Sequence, residues 1–255
     1  IFGPALEEEL KKSNLTLRHF PQSFEHSTLG GWIATRSGGH FATLYTHIDD
    51  FVESTTMVTP TGVIESRRLP GSGAGPSPDR MVIGSEGILG VITEAWMRLQ
   101  ERPSFRASCP VLFDDYDKAL NATRLISQSA LFPANCRLLD ANEALFNGAG
   151  DGSKNLLILS FESADHEMDT WLNRALEIAS DEGGQFEIPQ EKKVDAHKSG
   201  ASGTWRNSFI RAPYYREASV RRGVIQDTFE TSITWDKGFE FIEILKEKAA
   251  EAIKE

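Results

Sequence analysis

Glycine placement constrains this chain more than any other feature. Residues 21–40 read PQSFEHSTLGGWIATRSGGH, and residues 84–94 read GSEGILGVITE. The first segment concentrates hydroxyls and glycines, whose bare backbone lets N–H groups approach and hydrogen-bond a phosphate closely. The second sets three glycines within seven residues, immediately before an apolar run. Taken singly, each segment is equally consistent with tight turns and close packing. Neither is a Walker loop, and neither has the strand–GxGxxG–helix context of a Rossmann site.

Around these segments the chain divides in two. Residues 1–102 are rich in Gly, Ser, Thr and short apolar runs, and residues 51–52, 55–59, 63–64, 81–83 and 90–99 read as strands. Thr59-Pro60-Thr61-Gly62 suits a hairpin turn, with Pro fixing φ and Gly supplying a positive φ. Residues 69–78 (LPGSGAGPSP) cannot hold regular structure and read as a loop. Pro4 ahead of ALEEELKK starts a helix at the beginning of the chain. From about residue 103 the pattern changes to strand–helix alternation. Residues 106–113 and 155–161 (NLLILSF) are strands, and residues 114–131 and 165–182 are helices, the latter stopped by Gly183-Gly184. Residues 224–235 read as a further strand and 239–255 as a last helix. This order predicts an α+β fold, with residues 1–102 and 103–255 as separate units and the second one incomplete.

Charge and composition exclude several classes. A formal net charge of −10 argues against a nucleic-acid or anionic-membrane surface as main partner. Residues 189–222 are nonetheless a basic island, including Arg206, Arg211, Arg216, Arg221 and Arg222, where an acidic small molecule could bind. No run approaches the roughly 20 apolar residues of a membrane span. Cys109 and Cys136 match no zinc or redox spacing and read as buried small hydrophobes in a reducing, cytoplasmic setting. The histidines show no metal-ligand spacing, so no metal is expected. Asp114, Asp115 and Asp117 read as a helix start. Neither chain end reads as a natural terminus, which predicts a piece of a longer protein.

Jointly, and in this order, the two glycine segments resemble the vanillyl-alcohol-oxidase/PCMH-type FAD-binding family of FAD-linked oxidases. The resemblance extends through MVTPTGVIE, MVIGSEGILGVITEAWMRL, CRLLD at residues 136–140, WRNSFIRAPYYRE and DTFETSITWDK, and is strongest toward alkylglycerone-phosphate-synthase-like members. It implies the second subdomain of a PCMH-type FAD-binding domain, followed by a ferredoxin-like cap domain with an antiparallel sheet and helices. Under it, Ser23, Glu25, Ser27 and Thr28, with Thr35, Arg36, Ser37 and Gly38, would line the flavin and its pyrophosphate. Glu86, Gly87, Leu89, Gly90, Val91 and Ile92 would face the isoalloxazine and adenine through their backbone. His26 would pack against the cofactor region and not act as a base.

Arg137 would match an arginine important for activity, and Arg216 one that holds a substrate phosphate or carboxylate. A planar fork of donors suits that role at Arg216, although a surface arginine in a basic segment reads the same from sequence. For Arg137 an ion pair with Asp140 or a helix-end charge is the competing reading. The resemblance implies flavin chemistry that exchanges an acyl group of an acylated dihydroxyacetone phosphate for a fatty alcohol without net redox. A D-2-hydroxyacid dehydrogenase, of lactate or glycolate type, is the alternative. A complete member carries a further pyrophosphate loop upstream and a His-rich segment downstream, so an inactive fragment, with its FAD absent and its exposed face driving dimerisation, is the third possibility.

Overall fold

The computed structural model describes residues 1–68, 77–188, 200–226 and 228–254. Its elements run α1 (Gly3–Lys11), β1 (Leu15–Thr16), α2 (Leu29–Thr35), α3 (Ala42–Tyr45), β2 (Val52–Thr59), β3 (Gly62–Glu65), β4 (Val91–Met97) and β5 (Gln100–Glu101). They continue with β6 (Phe105–Phe113), α4 (Tyr116–Gln128), β7 (Asn135–Leu139), α5 (Ala141–Phe146), β8 (Asn155–Ser163), α6 (Asp169–Asp181), α7 (Gly200–Val220) and α8 (Gly238–Lys254). Among the described residues no helix is long and apolar enough to cross a membrane.

In the first hundred residues a three-stranded antiparallel sheet, ordered β3-β2-β4, is built around the expected hairpin. Thr59 faces Gly62 across the turn, and the Thr59 hydroxyl donates to the Gly62 carbonyl at 2.8 Å. Gly62 has φ +148, a conformation that a side chain would strain. Helix α2 covers one side of this sheet. Its Thr28 cap accepts from the Gly31 N–H, and its Trp32 and Ile33 join Leu17, Phe24, Ile48 and Phe51 in a buried cluster. Across the other side, Val58 pairs with Val63 and Val91, and all three are exposed, by 46%, 60% and 68%.

The remaining residues form a second antiparallel sheet, ordered β6-β8-β7. Strand β8 is central and buried on both faces, which is why its sequence is apolar without alternation. Leu157, Leu159 and Phe161 pack with Cys109, Val111 and Phe113 of β6 under α4 and α6. Leu156 and Ile158 point the other way, toward Ala144 of α5 and Trp205 of α7. On the open edge of β6, Leu112 bridges Gln185 in antiparallel sense. With α4 and α6 as crossovers, that bridge stands where the fourth strand of a βαββαβ ferredoxin-like sheet begins.

The helix starts follow ordinary capping chemistry. Asp115 accepts from the N–H groups of Asp117 and Lys118 and so caps α4, and Asp140 caps α5 through Glu143 N–H. Gly183, with φ +88, follows the end of α6 as expected. Three expectations are corrected. Residues 81–83 are not a strand: Pro78–Val82 form a 3₁₀ turn, because Pro78 sets its first φ and Gly84 turns the chain at φ +79. Among the described residues of 224–235 there is no strand; they are mostly exposed, pair with no strand of either sheet and end in the 3₁₀ turn Trp235–Lys237. The polar stretch 189–222 contains helix α7, which the sequence pattern hid because Pro213 lies inside it. Residues 69–76 of the expected loop lie outside the described residues.

A buried ion pair ties the two halves together. The Arg18 guanidinium, beside β1, grips Glu162 of β8 with two parallel hydrogen bonds, and Arg106 of β6 lies 3.8 Å from the same carboxylate. Glu162→Gln should cost about 3–5 kcal/mol in urea unfolding of the protein, because it leaves a guanidinium buried without its countercharge. A loss below about 1 kcal/mol would rule out this pair as the joint.

Candidate functional site

The fold lays the two glycine segments side by side. Gly84 N–H donates to the Ile33 carbonyl and Glu86 N–H to the Ala34 carbonyl, each at 2.9 Å, so residues 84–86 run along the end of α2. Gly30 sits against β4, where a methyl group would lie 3.2 Å from the Ile92 carbonyl oxygen. At Gly90, with φ +157, a methyl would lie 2.4 Å from the Val58 carbonyl oxygen, so β2 and β4 meet there only because that side chain is missing. Gly87, with φ +80, instead faces open space.

The hydroxyls of residues 21–40 largely hold the segment itself together. The Ser23 and Ser27 hydroxyls are 2.9 Å apart, Ser27 accepts from the Trp32 indole at 2.6 Å, and Thr35 donates to the Gly31 carbonyl at 3.1 Å. Ser37 meets the His19 ring at 2.9 Å. Gly38 bridges His47 in antiparallel sense. Arg36 ends α2 in the left-handed conformation, with its guanidinium 3.8 Å from Asp49. Glu25 is exposed and accepts from the Tyr214 hydroxyl at 2.7 Å, and the His26 ring packs edge-on against Tyr214.

A surface strip therefore joins Thr35 and Arg36 to Glu86, Gly87, Ile88, Leu89 and Val91, all of them exposed. Bare backbone, one guanidinium and uncovered apolar side chains lie together, with Ile88 85% exposed. A dinucleotide with a flat ring system and a charged middle asks for that mixture from one wall of its cradle, and the residues present fit FAD in that sense.

The two arginines are separated. Arg137, on β7, is largely buried, and its guanidinium carbon lies 5.2 Å from the centre of the Trp205 ring and 5.4 Å from that of Phe209. Burial pulls its pKa below the ordinary arginine value. Asp140 is not its partner; that carboxylate caps α5 and lies 3.6 Å from Lys246. Arg216 stands exposed on α7, seven to eleven residues past the Arg137 contacts and so about 10–16 Å along the helix. Between them, a cleft of about 550 Å³ is lined by Glu25, Arg206, Asn207, Ile210, Arg211, Tyr214 and Tyr215.

Residues that the sequence did not mark as site residues complete this region. His40 and Asn135 are buried and hydrogen-bonded to one another at 3.0 Å. Burial, with Arg137, Arg206 and Arg18 nearby, pushes His40 down to about 3, and burial pushes His19 to about 4. Burial also raises both thiols, Cys109 to about 11 and Cys136 to about 12, as inert small hydrophobes require.

This combination of glycine-lined surface strip and ferredoxin-like cap defines a flavin-linked oxidase architecture. The chain belongs to the FAD-linked oxidase family: residues 102–253 match its C-terminal domain and residues 1–66 match the FAD-binding domain. It is 33% identical to alkyldihydroxyacetonephosphate synthase of Dictyostelium discoideum over 92% of this chain and 41% of that protein. With the enzyme of that name from Caenorhabditis elegans it is 29% identical, over 97% of this chain and 44% of that protein. A solved structure of an alkyldihydroxyacetonephosphate synthase superposes on 97% of this chain and 47% of its own, with TM-score 0.79 and 28% identity. A glycolate oxidase subunit of Bacillus subtilis matches 47% of this chain and 26% of its own, at 32% identity. The chain thus spans about half the length, or less, of the synthases it matches.

Two measurements check this site. Gly90→Ala should lower the melting temperature far more than Gly87→Ala, since the first drives a methyl into a backbone carbonyl and the second adds only the ~1–2 kcal/mol of a left-handed side-chain residue. Equal melting of the two variants would refute the close approach at Gly90. Stability should also fall with acid. On unfolding, His19 and His40 take up protons near pH 6.5, whereas the folded chain holds them neutral to about 4 and about 3. Their contribution is whole above pH 6.5 and is lost as pH falls from there, so unfolding free energy should be roughly 3–4 kcal/mol lower at pH 5 than at pH 7. A flat profile over that range would contradict the burial of both rings.

Proposed function

We propose that the complete protein is an FAD-dependent enzyme of the alkyldihydroxyacetonephosphate synthase type. Its substrate would be an acylated dihydroxyacetone phosphate. The reach of the likeness carries this reading: it runs through both the glycine strip and the cap, over 97% of the chain at TM-score 0.79. In that reaction the bond from the dihydroxyacetone carbon to the acyloxy oxygen breaks, a fatty acid leaves as carboxylate, and the oxygen of a fatty alcohol bonds to that carbon as its proton is released. There is no net oxidation.

Bound FAD would supply the electron-accepting ring on which this exchange depends. The chain's own residues do the holding. Ser23, Glu25, Ser27, Thr28, Thr35, Arg36, Ser37 and Gly38 would border the cofactor on the α2 side. The backbone of Glu86, Gly87, Leu89, Gly90, Val91 and Ile92 would border it on the β4 side. Arg216 would hold the substrate phosphate, and Arg137 would add positive charge in the cap; the support is their guanidinium chemistry and their place on facing elements of the cap. We further read residues 1–102 and 103–255 as separate domains. Two free cysteines support a reducing, cytoplasmic setting, and the exposed Val58, Val63 and Val91 face supports self-association.

The glycolate oxidase match favours a second reading, oxidation of a 2-hydroxy acid. One experiment separates the two. The full-length protein, loaded with FAD under anaerobic conditions, is mixed with D-lactate or glycolate, or with acyl-dihydroxyacetone phosphate and labelled hexadecanol. Label entering the phosphorylated product, with the flavin still oxidised at the end, is the expected result. Bleaching by the hydroxy acid, with no label transferred, would replace the proposal by its alternative. Arg216→Gln should lower kcat/KM by about 30- to 5,000-fold, the ~2–5 kcal/mol of a lost charged hydrogen bond. A change under threefold would remove Arg216 from the substrate site.

A further inference from the structure

Strand β7 carries Asn135 and Arg137 two residues apart, and so on one face. Helix α7 lays Trp205 and Phe209, one turn apart, against that face, with the Arg137 guanidinium 5.2 Å and 5.4 Å from their ring centres. From the loop after α2, the His40 ring closes the same seam, 5.4 Å from the Phe209 ring.

Asn135 decides which histidine nitrogen carries the proton. Its amide nitrogen is 3.3 Å from the His40 carbonyl oxygen, which can only accept, and 3.0 Å from Nε2 of the ring. The amide NH₂ therefore donates to both, and Nε2 is the acceptor of a neutral imidazole. The ring proton sits on Nδ1. That atom is buried and has no hydrogen-bond partner among the described residues, and the Trp205 indole Nε1 is in the same condition. The two residues are 7% and 6% exposed.

Buried N–H groups are almost always paired, so two orphans beside one guanidinium call for an explanation. The nearest carboxylates, Glu143 and Glu230, act on Arg137 through charge, and neither is bonded to the two N–H groups. A set made of donors alone matches a water molecule poorly, because water must donate too. It matches an oxyanion well, since an ionised oxygen only accepts.

We infer that the seam between β7, α7 and the His40 loop is an oxyanion-binding site, in which His40 Nδ1 and Trp205 Nε1 donate hydrogen bonds and Arg137 supplies the charge. The site is separate from Arg216. It rests on the proposed reaction only for the ligand's origin: with the substrate phosphate assigned to Arg216, the oxyanion expected here is the carboxylate that leaves.

The test needs no turnover, so its failure and that of the proposed reaction are distinguishable. Full-length protein is titrated with inorganic phosphate and, separately, with acetate at constant ionic strength, and its indole N–H resonances are followed by NMR. The resonance of Trp205, assigned by its loss in Trp205→Phe, should move saturably with at least one anion. Acetate binding would identify the leaving carboxylate as the ligand; phosphate binding alone would move the substrate headgroup here from Arg216. Trp205→Phe and His40→Leu should each weaken the binding about tenfold, which is ~1.4 kcal/mol. The wild-type titration stands even if His40→Leu does not fold. A Trp205 resonance unmoved by both anions, a shift that chloride reproduces, or unchanged affinity in two folded variants would overturn the site.

Discussion

The Arg18–Glu162 pair is the contact on which the rest of the arrangement depends. Arg18 sits at φ +59, a conformation that costs a side-chain residue about 1–2 kcal/mol, and its side chain is buried. Both costs are tolerable only because the guanidinium finds two carboxylate oxygens and the face of Phe41, 3.8 Å away. Glu162 belongs to β8, the central strand of the second sheet, so the rigid core of that sheet positions the end of the first half. The same contact sets where the loop of His40 meets β7 and where α7 passes over Glu25.

Charge around this joint is unevenly divided. Arg18, Arg106 and Arg206 surround one carboxylate, and burial draws the Arg206 pKa down while the other two arginines draw it further. An acidic chain has thus concentrated positive charge around the buried Glu162 at its interior seam. Net charge, summed over the whole surface, hides such a site, and the potential a small anion meets is local. The basic stretch 189–222 carries the outer part of this charge on α7, whereas Arg18 and Arg106 come from elsewhere in the chain.

Where local chemistry decides a conformation, the sequence was readable. Thr59 to Gly62 forms its hairpin because Pro60 and Gly62 hold the required φ values, and Asp115 caps α4 because a short carboxylate reaches two free N–H groups. The uninterrupted apolar run of β8 announced a strand covered on both faces. Helix α7 was not readable, since its pattern mixes Trp205 and Phe209 with arginines and a proline, and only packing against β7 selects a face. The strand expected at 224–235 failed for the complementary reason: its β-branched and aromatic residues favour extended backbone, but a strand also needs a neighbour to bond.

For the candidate site the division is similar. The glycines of residues 84–90 could be identified as places where backbone must come close to something, because the absence of a side chain is itself a local property. That Gly90 is needed for the approach of Val58, while Gly87 opens onto the surface strip, is a matter of what lies across from each, and only the fold supplies it. Arg137 and Arg216 were marked by family resemblance, without any indication that about 10–16 Å of helix separates them. His40 and Trp205 lie in segments that carry the resemblance and Asn135 just before CRLLD, but nothing local marks their side chains as sharing a buried seam. The sequence by itself determined the turns, caps, strand runs and family of this chain, all set by interactions within a few residues. Tertiary structure alone decided which donors share a buried seam, because burial and hydrogen-bond pairing belong to contacts between residues up to 165 positions apart, as His40 and Trp205 are.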